Sequence, residues 1–134
     1  MAVTMKAPKN LGELQLAILR VLWERGEAAV ADVHAALADR GLALTTIATM
    51  LRKMEDKRLV KHRENGRQFL YKAVAAPELV HKHMVGDLVD RLFDGDPLAL
   101  VSHLVAEGEI DLDELEALRA RVRAAQTARK EGPR

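Results

Sequence analysis

The chain has 134 residues, 49% apolar and 31% charged, a globular composition in a length that fits one ordinary domain or a small one with an appendage. It has no cysteine, which excludes disulfides, thiolate metal sites and cysteine nucleophiles. The net charge of +1 hides an uneven distribution: residues 1–76 carry 13 Lys/Arg against 8 Asp/Glu, whereas residues 77–134 carry 8 against 12. A basic half and an acidic half point to surfaces with different partners, the basic one suited to nucleic acid. The opening MAVTMKAPKN lacks the apolar core of a signal peptide, and no run approaches the roughly 18 apolar residues of a membrane span. A cytoplasmic location without a membrane partner is therefore expected.

The first predicted helix runs from about Gly12 to Arg25, where Leu14, Ile18, Leu19 and Leu22 recur at helical spacing and Trp23 closes the stretch as a core residue. A second, shorter helix is expected from Val30 to Arg40, with Val30, Val33, His34 and Leu37 as its stripe and Gly41 as its C-cap. His34 reads as a hydrogen-bonded histidine at a packing edge. The third helix, Thr45 to Lys57, gathers Ile47, Met50, Leu51 and Met54 in one sector. Its opposite side carries Thr45, Thr49, Arg52 and Asp56, flanked by Thr46 and Lys53.

The period then changes to that of strands. Residues 59–63 and 68–72 flank Glu64-Asn65-Gly66-Arg67, and Asn-Gly predicts a tight hairpin because both residues tolerate positive φ. Lys61, Arg63, Arg67 and Lys72 make the tip and its shoulders basic, while Phe69 and Tyr71 read as core packing beneath the hairpin. Pro77 opens a fourth helix with a broad apolar face, and Asp94-Gly95-Asp96 ends it. Pro97 begins a short apolar helix closed by Gly108. Asp111 and Glu114 form a capping box for a last helix striped by Leu112, Leu115, Leu118 and Val122, with a frayed, polar end from about Gln126.

Three helices followed by a two-stranded hairpin is the layout of a winged helix-turn-helix. The expected fold is therefore mainly α with a small β-hairpin wing, followed by a C-terminal helical dimerisation region. The expected division is 1–76 for the DNA-binding domain, 77–126 for dimerisation and 127–134 for a disordered tail. The third helix is the candidate reader of the major groove of double-stranded DNA, with Thr45, Thr46, Thr49, Arg52 and Lys53 facing bases. Lys57, Arg58, Lys61, Arg63, Arg67 and Lys72 are the candidate contacts to backbone, Arg67 also to a minor groove. Residues 45–72 alone hold 8 Lys/Arg and 3 Asp/Glu. Two aromatics on one strand do not make a single-strand stacking platform, which disfavours RNA.

The three C-terminal helices have apolar stripes but little core of their own. A second copy would bury them, and two-fold protein symmetry would match a palindromic site. The candidate dimerisation residues are Val80, Met84, Leu88, Leu92, Leu98, Val101, Leu104, Leu112, Leu115, Leu118 and Val122.

Over about residues 11–122 the chain resembles the penicillinase-repressor family, the bacterial repressors of beta-lactamase and methicillin-resistance genes. The resemblance rests on Leu11-Gly12-Glu13-Leu14-Gln15 with Val21-Leu22-Trp23, on residues 44–54 (LTTIATMLRKM), on Lys57-Arg58-Leu59-Val60, and on Gly66-Arg67-Gln68-Phe69-Leu70-Tyr71 in the wing. Residues 98–101 through 115–118 look like its dimerisation region. The resemblance implies a homodimer on a two-fold operator that blocks transcription, with a link to antibiotic resistance. It places DNA contacts on Thr45, Thr46, Thr49, Arg52 and Lys53, and admits a regulatory protease or a small-molecule inducer as a further partner. The Asn-Phe bond at which family repressors are cleaved is absent; the matching place reads Val101-Ser102-His103-Leu104. Copper-responsive relatives use tail cysteines, so copper sensing through thiolates is excluded. Arg58 stands where many members have glycine.

No enzyme is expected: there is no phosphate loop, no nucleophile elbow and no grouping of His with Asp or Glu and a nucleophile. His81 and His83 are two apart on a helix and point to different faces, so no metal ligand set and no cofactor is expected. The alternative reading is a winged-helix protein–protein interaction module or antirepressor without direct DNA binding.

Overall fold

The computed structural model describes residues 11–131. These form α1 (Glu13–Arg25), β1 (Ala28–Ala29), α2 (Val30–Ala36), a 3₁₀ turn (Ala38–Arg40), α3 (Leu44–Asp56), β2 (Val60–Asn65), β3 (Gln68–Ala73), α4 (Pro77–Phe93), α5 (Pro97–Ala106) and α6 (Leu112–Glu131). The fold is a winged helix-turn-helix followed by a helical region. Two compact units divide between Asp87 and Leu88, inside α4, rather than at the expected boundary near residue 76.

In the first unit the apolar faces of three helices close on one core. Ile18, Leu19 and Leu22 of α1, Val33 of α2, and Ile47, Leu51 and Met54 of α3 are all buried, with Val60 and Tyr71 from the sheet. Each such aliphatic side chain contributes about 1.5–3 kcal/mol by leaving water. α1 starts with half of a capping box from its own first turn: the Gly12 N–H donates to Gln15 Oε1 at 3.2 Å. At its other end the Trp23 indole N–H donates to the Ala75 carbonyl at 2.7 Å, tying α1 to the chain leaving β3. Trp23 is half-buried, as a polar tip on an apolar body requires.

α2 is shorter than its apolar spacing predicts, ending at Ala36, with the 3₁₀ turn taking over to Arg40. Gly41 follows in the left-handed conformation, and His34 Nε2 donates to the Leu42 carbonyl at 2.8 Å across the turn. The hydrogen-bonded histidine is as expected. It also braces the segment that delivers the chain into α3.

The sheet has three antiparallel strands in the order β1-β3-β2, one more than the hairpin the sequence predicts. Val60 pairs with Ala73 and Asn65 with Gln68, so the two-residue turn is Gly66-Arg67 and not Asn65-Gly66. Only Gly66 has positive φ there, at +66°, the pattern of a type II′ turn with glycine at its first central position. The slip of one residue puts Arg67 at the extreme tip. Ala28 and Ala29 pair with Tyr71 and Leu70, covering the free edge of β3.

In the second unit α5 begins with Pro97 behind Asp96, whose Oδ1 accepts from the Leu98 N–H at 3.0 Å. The box at α6 closes in both directions, Asp111 N–H to Glu114 Oε1 and Glu114 N–H to Asp111 Oδ1, each at 2.8 Å. α6 continues through Glu131, past the fraying expected from Gln126 and through most of the expected disordered tail.

Candidate nucleic-acid interface

α3 is divided lengthwise. Ile47, Leu51 and Met54 are fully buried, whereas Thr45, Thr46, Thr49, Arg52 and Lys53 are all exposed. The five residues predicted to face bases therefore share the free side of one helix, which its buried side holds rigidly on the core. Arg52 Nη2 donates to Thr49 Oγ1 over a long 3.5 Å, so the two already lie side by side. The N-cap Ala43 offers no side-chain acceptor, and the Thr46 N–H donates to the Ala43 carbonyl at 3.0 Å.

The far end of α3 is unusual. Arg58 has φ +64°, the left-handed region that costs an L-residue about 1 kcal/mol or more. Its N–H donates to the Glu55 carbonyl at 2.9 Å, and the Leu59 N–H donates to the Met54 carbonyl at 2.9 Å. That is a complete Schellman motif, sealed by the buried Leu59 against Met54, with arginine in the place glycine ordinarily takes. The guanidinium is exposed, next in line after the exposed Lys57.

The wing alternates. Val60, His62, Glu64, Phe69, Tyr71 and Ala73 share one face; Lys61, Arg63, Asn65, Gln68, Leu70 and Lys72 share the other. Tyr71 is buried as expected, and burial followed by the nearby Glu55 charge pushes its phenol pKa up. Phe69 is not core: it is 44% exposed and stacks on His62 with ring centroids 4.1 Å apart. Phe69 lies two residues from the tip turn and stands outside the buried core cluster.

Lys61, Arg67 and Lys72 are exposed. Arg63 is differently placed. It grips Glu27 through two bonds, Nε to Oε2 at 2.8 Å and Nη2 to Oε1 at 2.9 Å. The hydrogen bond from Arg63 holds the Glu27 carboxyl below its usual range, and Glu27 raises Arg63 in turn. Arg63 thus fastens the wing to the segment before β1, a commitment that its position on the strand does not disclose.

The predicted dimerisation residues divide between two roles. Val80 is fully buried in the first unit and Met84 packs against the same core, so both are corrected to core residues of that unit. Leu88, Leu92, Leu98, Val101, Leu112, Leu118 and Val122 are exposed, and Leu104 and Leu115 are half-covered. Val85 and Val105, absent from the predicted set, are exposed too. Leu92 at 67%, Leu98 at 73% and Leu112 at 70% exposure are the most open of these. Among the described residues there is no cluster of three potential metal ligands, and no helix is long and apolar enough to cross a membrane.

A family described as penicillinase repressor matches residues 11–124, which span all of the elements above except the end of α6. The chain is 37% identical over 113 residues to the transcriptional regulator BlaI of Mycobacterium tuberculosis (strain CDC 1551 / Oshkosh), a match that covers 82% of this chain and 80% of that protein. The protein of the same name from strain H37Rv matches equally. Among solved structures, a mutant MarR from E. coli superposes with a TM-score of 0.53 at 16% identity, covering 91% of this chain and 82% of that one. The same MarR mutant complexed with operator DNA gives a TM-score of 0.51 at 16% identity, covering 88% and 77%. At that identity the likeness is one of fold.

Proposed function

The chain belongs to the penicillinase repressor family, and we propose that it represses transcription as a homodimer bound to a two-fold operator in double-stranded DNA. It is a transcriptional regulator rather than an enzyme. The observation that carries the proposal is the free face of α3, where Thr45, Thr46, Thr49, Arg52 and Lys53 stand together on a helix whose other side is locked into the core. In this reading the threonines meet base edges and thymine methyls, and Arg52 and Lys53 reach bases or phosphates. Lys57, Arg58, Lys61, Arg67 and Lys72 take backbone, and Arg67 probes the minor groove from the wing tip. Arg63 supports the wing through Glu27.

The first unit, through Asp87, reads DNA, and the second, from Leu88, joins two copies through its exposed leucines and valines. Two copies would place two α3 helices on one face of the duplex. The protein would act in the cytoplasm, where its operator lies. An interaction module without DNA binding would leave an exposed basic helix and wing without a role.

The test is selection of binding sites by the purified full-length chain from a random duplex pool, at about 150 mM salt to suppress non-specific binding. Enrichment of a palindromic motif is the expected result. A folded dimer that enriches nothing would overturn the proposal in favour of the interaction module.

A further inference from the structure

The wing is fastened by two side-chain bridges to carboxylates, made by successive residues on opposite faces of β2. Arg63 holds Glu27, between α1 and β1. His62 Nδ1 donates to both carboxylate oxygens of Glu55, at 2.7 and 2.9 Å. Glu55 lies in the last turn of α3, so His62 ties the wing to the reading helix by a side-chain hydrogen bond, beside the apolar packing of Val60 and Tyr71. The imidazole is fixed from the other side by Phe69, stacked at 4.1 Å, and by Tyr71 with its centroid at 5.4 Å. Both members of the pair are about 30% exposed, 29% for His62 and 30% for Glu55, so water screens them only in part.

The charge environment gives this pair a consequence that the Arg63 pair lacks. The charged and titratable groups on its side are Glu55 and Arg52 from α3, Glu64 from the same face of β2, and the Tyr71 phenol from β3. Lys61, Arg63 and Lys72 take the opposite face of the wing with Glu27. Glu55 and the exposed Asp56 are the two carboxylates in a stretch that also holds Arg52, Lys53, Lys57 and Arg58. A neutral imidazole leaves the negative charge of Glu55 one helical turn from Arg52, which the proposed function places on DNA. A protonated one cancels it without breaking the hydrogen bond. Imidazole is the side chain whose charge ordinarily changes around neutral pH, whereas a guanidinium does not.

We infer that His62 is a positioning residue for DNA recognition, setting the wing against α3 through Glu55, and that its protonation strengthens duplex binding by neutralising Glu55. The inference rests on the DNA-binding reading above and adds to it a residue pair and a pH dependence.

The experiment is an anisotropy titration of the full-length chain against a fluorescein-labelled duplex enriched in the selection, at fixed ionic strength, from pH 8 to pH 6. The wild type should tighten by up to about tenfold, the equivalent of one pK unit of differential interaction. His62→Gln keeps an amide donor to Glu55 but cannot gain charge, so whatever its affinity at pH 8, its profile should lack the tightening toward pH 6. Glu55→Gln keeps an acceptor and removes the charge, so it should bind more tightly than the wild type at pH 8. A His62→Gln profile that tracks the wild type would assign any pH dependence to other histidines and overturn the inference. Weaker binding by Glu55→Gln at pH 8 would also overturn it. A wild type that binds with a flat profile sinks this inference alone, whereas one that binds no duplex at either pH sinks the functional reading as well.

Discussion

Helices α3 and α6 both carry an apolar stripe at helical spacing, and the structure gives the two stripes opposite fates. Ile47, Leu51 and Met54 of α3 are fully buried among α1, α2 and the sheet, whereas Leu112, Leu118 and Val122 of α6 remain in water. Periodicity states which face is apolar but not what covers it. In the first unit the cover is supplied by the same chain, so that unit is complete and its polar face is free for a ligand. In the second no such cover comes from within the unit, and under the proposed function a second copy would supply it in a closed, symmetric way.

The contrast is broken most strongly by placing a charge on the uncovered stripe. Leu118→Asp should weaken self-association by about 3–5 kcal/mol, the cost of an unpaired charge at a buried interface. Sedimentation should then show monomers at concentrations where the wild type is dimeric, while Trp23 fluorescence reports an intact first unit. Next in size, Leu51→Ala should lower stability by about 2–5 kcal/mol through the cavity it leaves. Its unfolding midpoint should fall without dimer dissociation preceding it. If both substitutions gave the same concentration-dependent melting, the division of labour between the units would be wrong.

Smaller effects sharpen the account of the free face. Thr49→Ala should cost about 1 kcal/mol at one base pair of the selected site and leave most of the salt dependence, measured over operator variants. Unchanged site preference would remove Thr49 from the base-reading set. Arg67→Ala should weaken related sites evenly and reduce the salt slope by about one unit; loss of specificity at constant slope would make the wing a base reader.

The smallest effect separates stability from function at one residue. α3 and α5 end in the same Schellman pattern, but α5 has Gly108 at φ +79° where α3 has Arg58 at +64°. Arg58→Gly should stabilise the fold by about 1 kcal/mol by relieving the left-handed strain, and at the same time lower the salt slope of DNA binding. A stabilised variant with an unaltered slope would remove Arg58 from the phosphate contacts.

Much of this was legible in the sequence because it is local. The helix starts at Pro77, Pro97 and Asp111, the stops at Gly26, Gly41 and Gly108, and the polar face of α3 follow from spacing and cap chemistry within a few residues. The rest depends on partners distant in sequence. β1 is two alanines with no strand preference of their own, ordered by the open edge of β3 more than forty residues later. Arg63 pairs with Glu27 across 36 positions, which no periodicity encodes. Val80 belongs to the first unit because the start of α4 packs back on the core, although it lies in the same stripe as Leu88. Asn65-Gly66 is a strong turn signal, yet the strands pair one residue further along, so Asn65 stays in the ladder and Arg67 takes the tip.

In the proposed function two copies present two α3 helices to one duplex. Hydroxyl-radical footprinting of the wild type on the duplex enriched by selection tests it most directly. Protection of two patches related by a dyad is expected, with their centres about one helical turn apart or a multiple of it. A single patch without dyad symmetry, made by protein that sediments as a dimer, would contradict it.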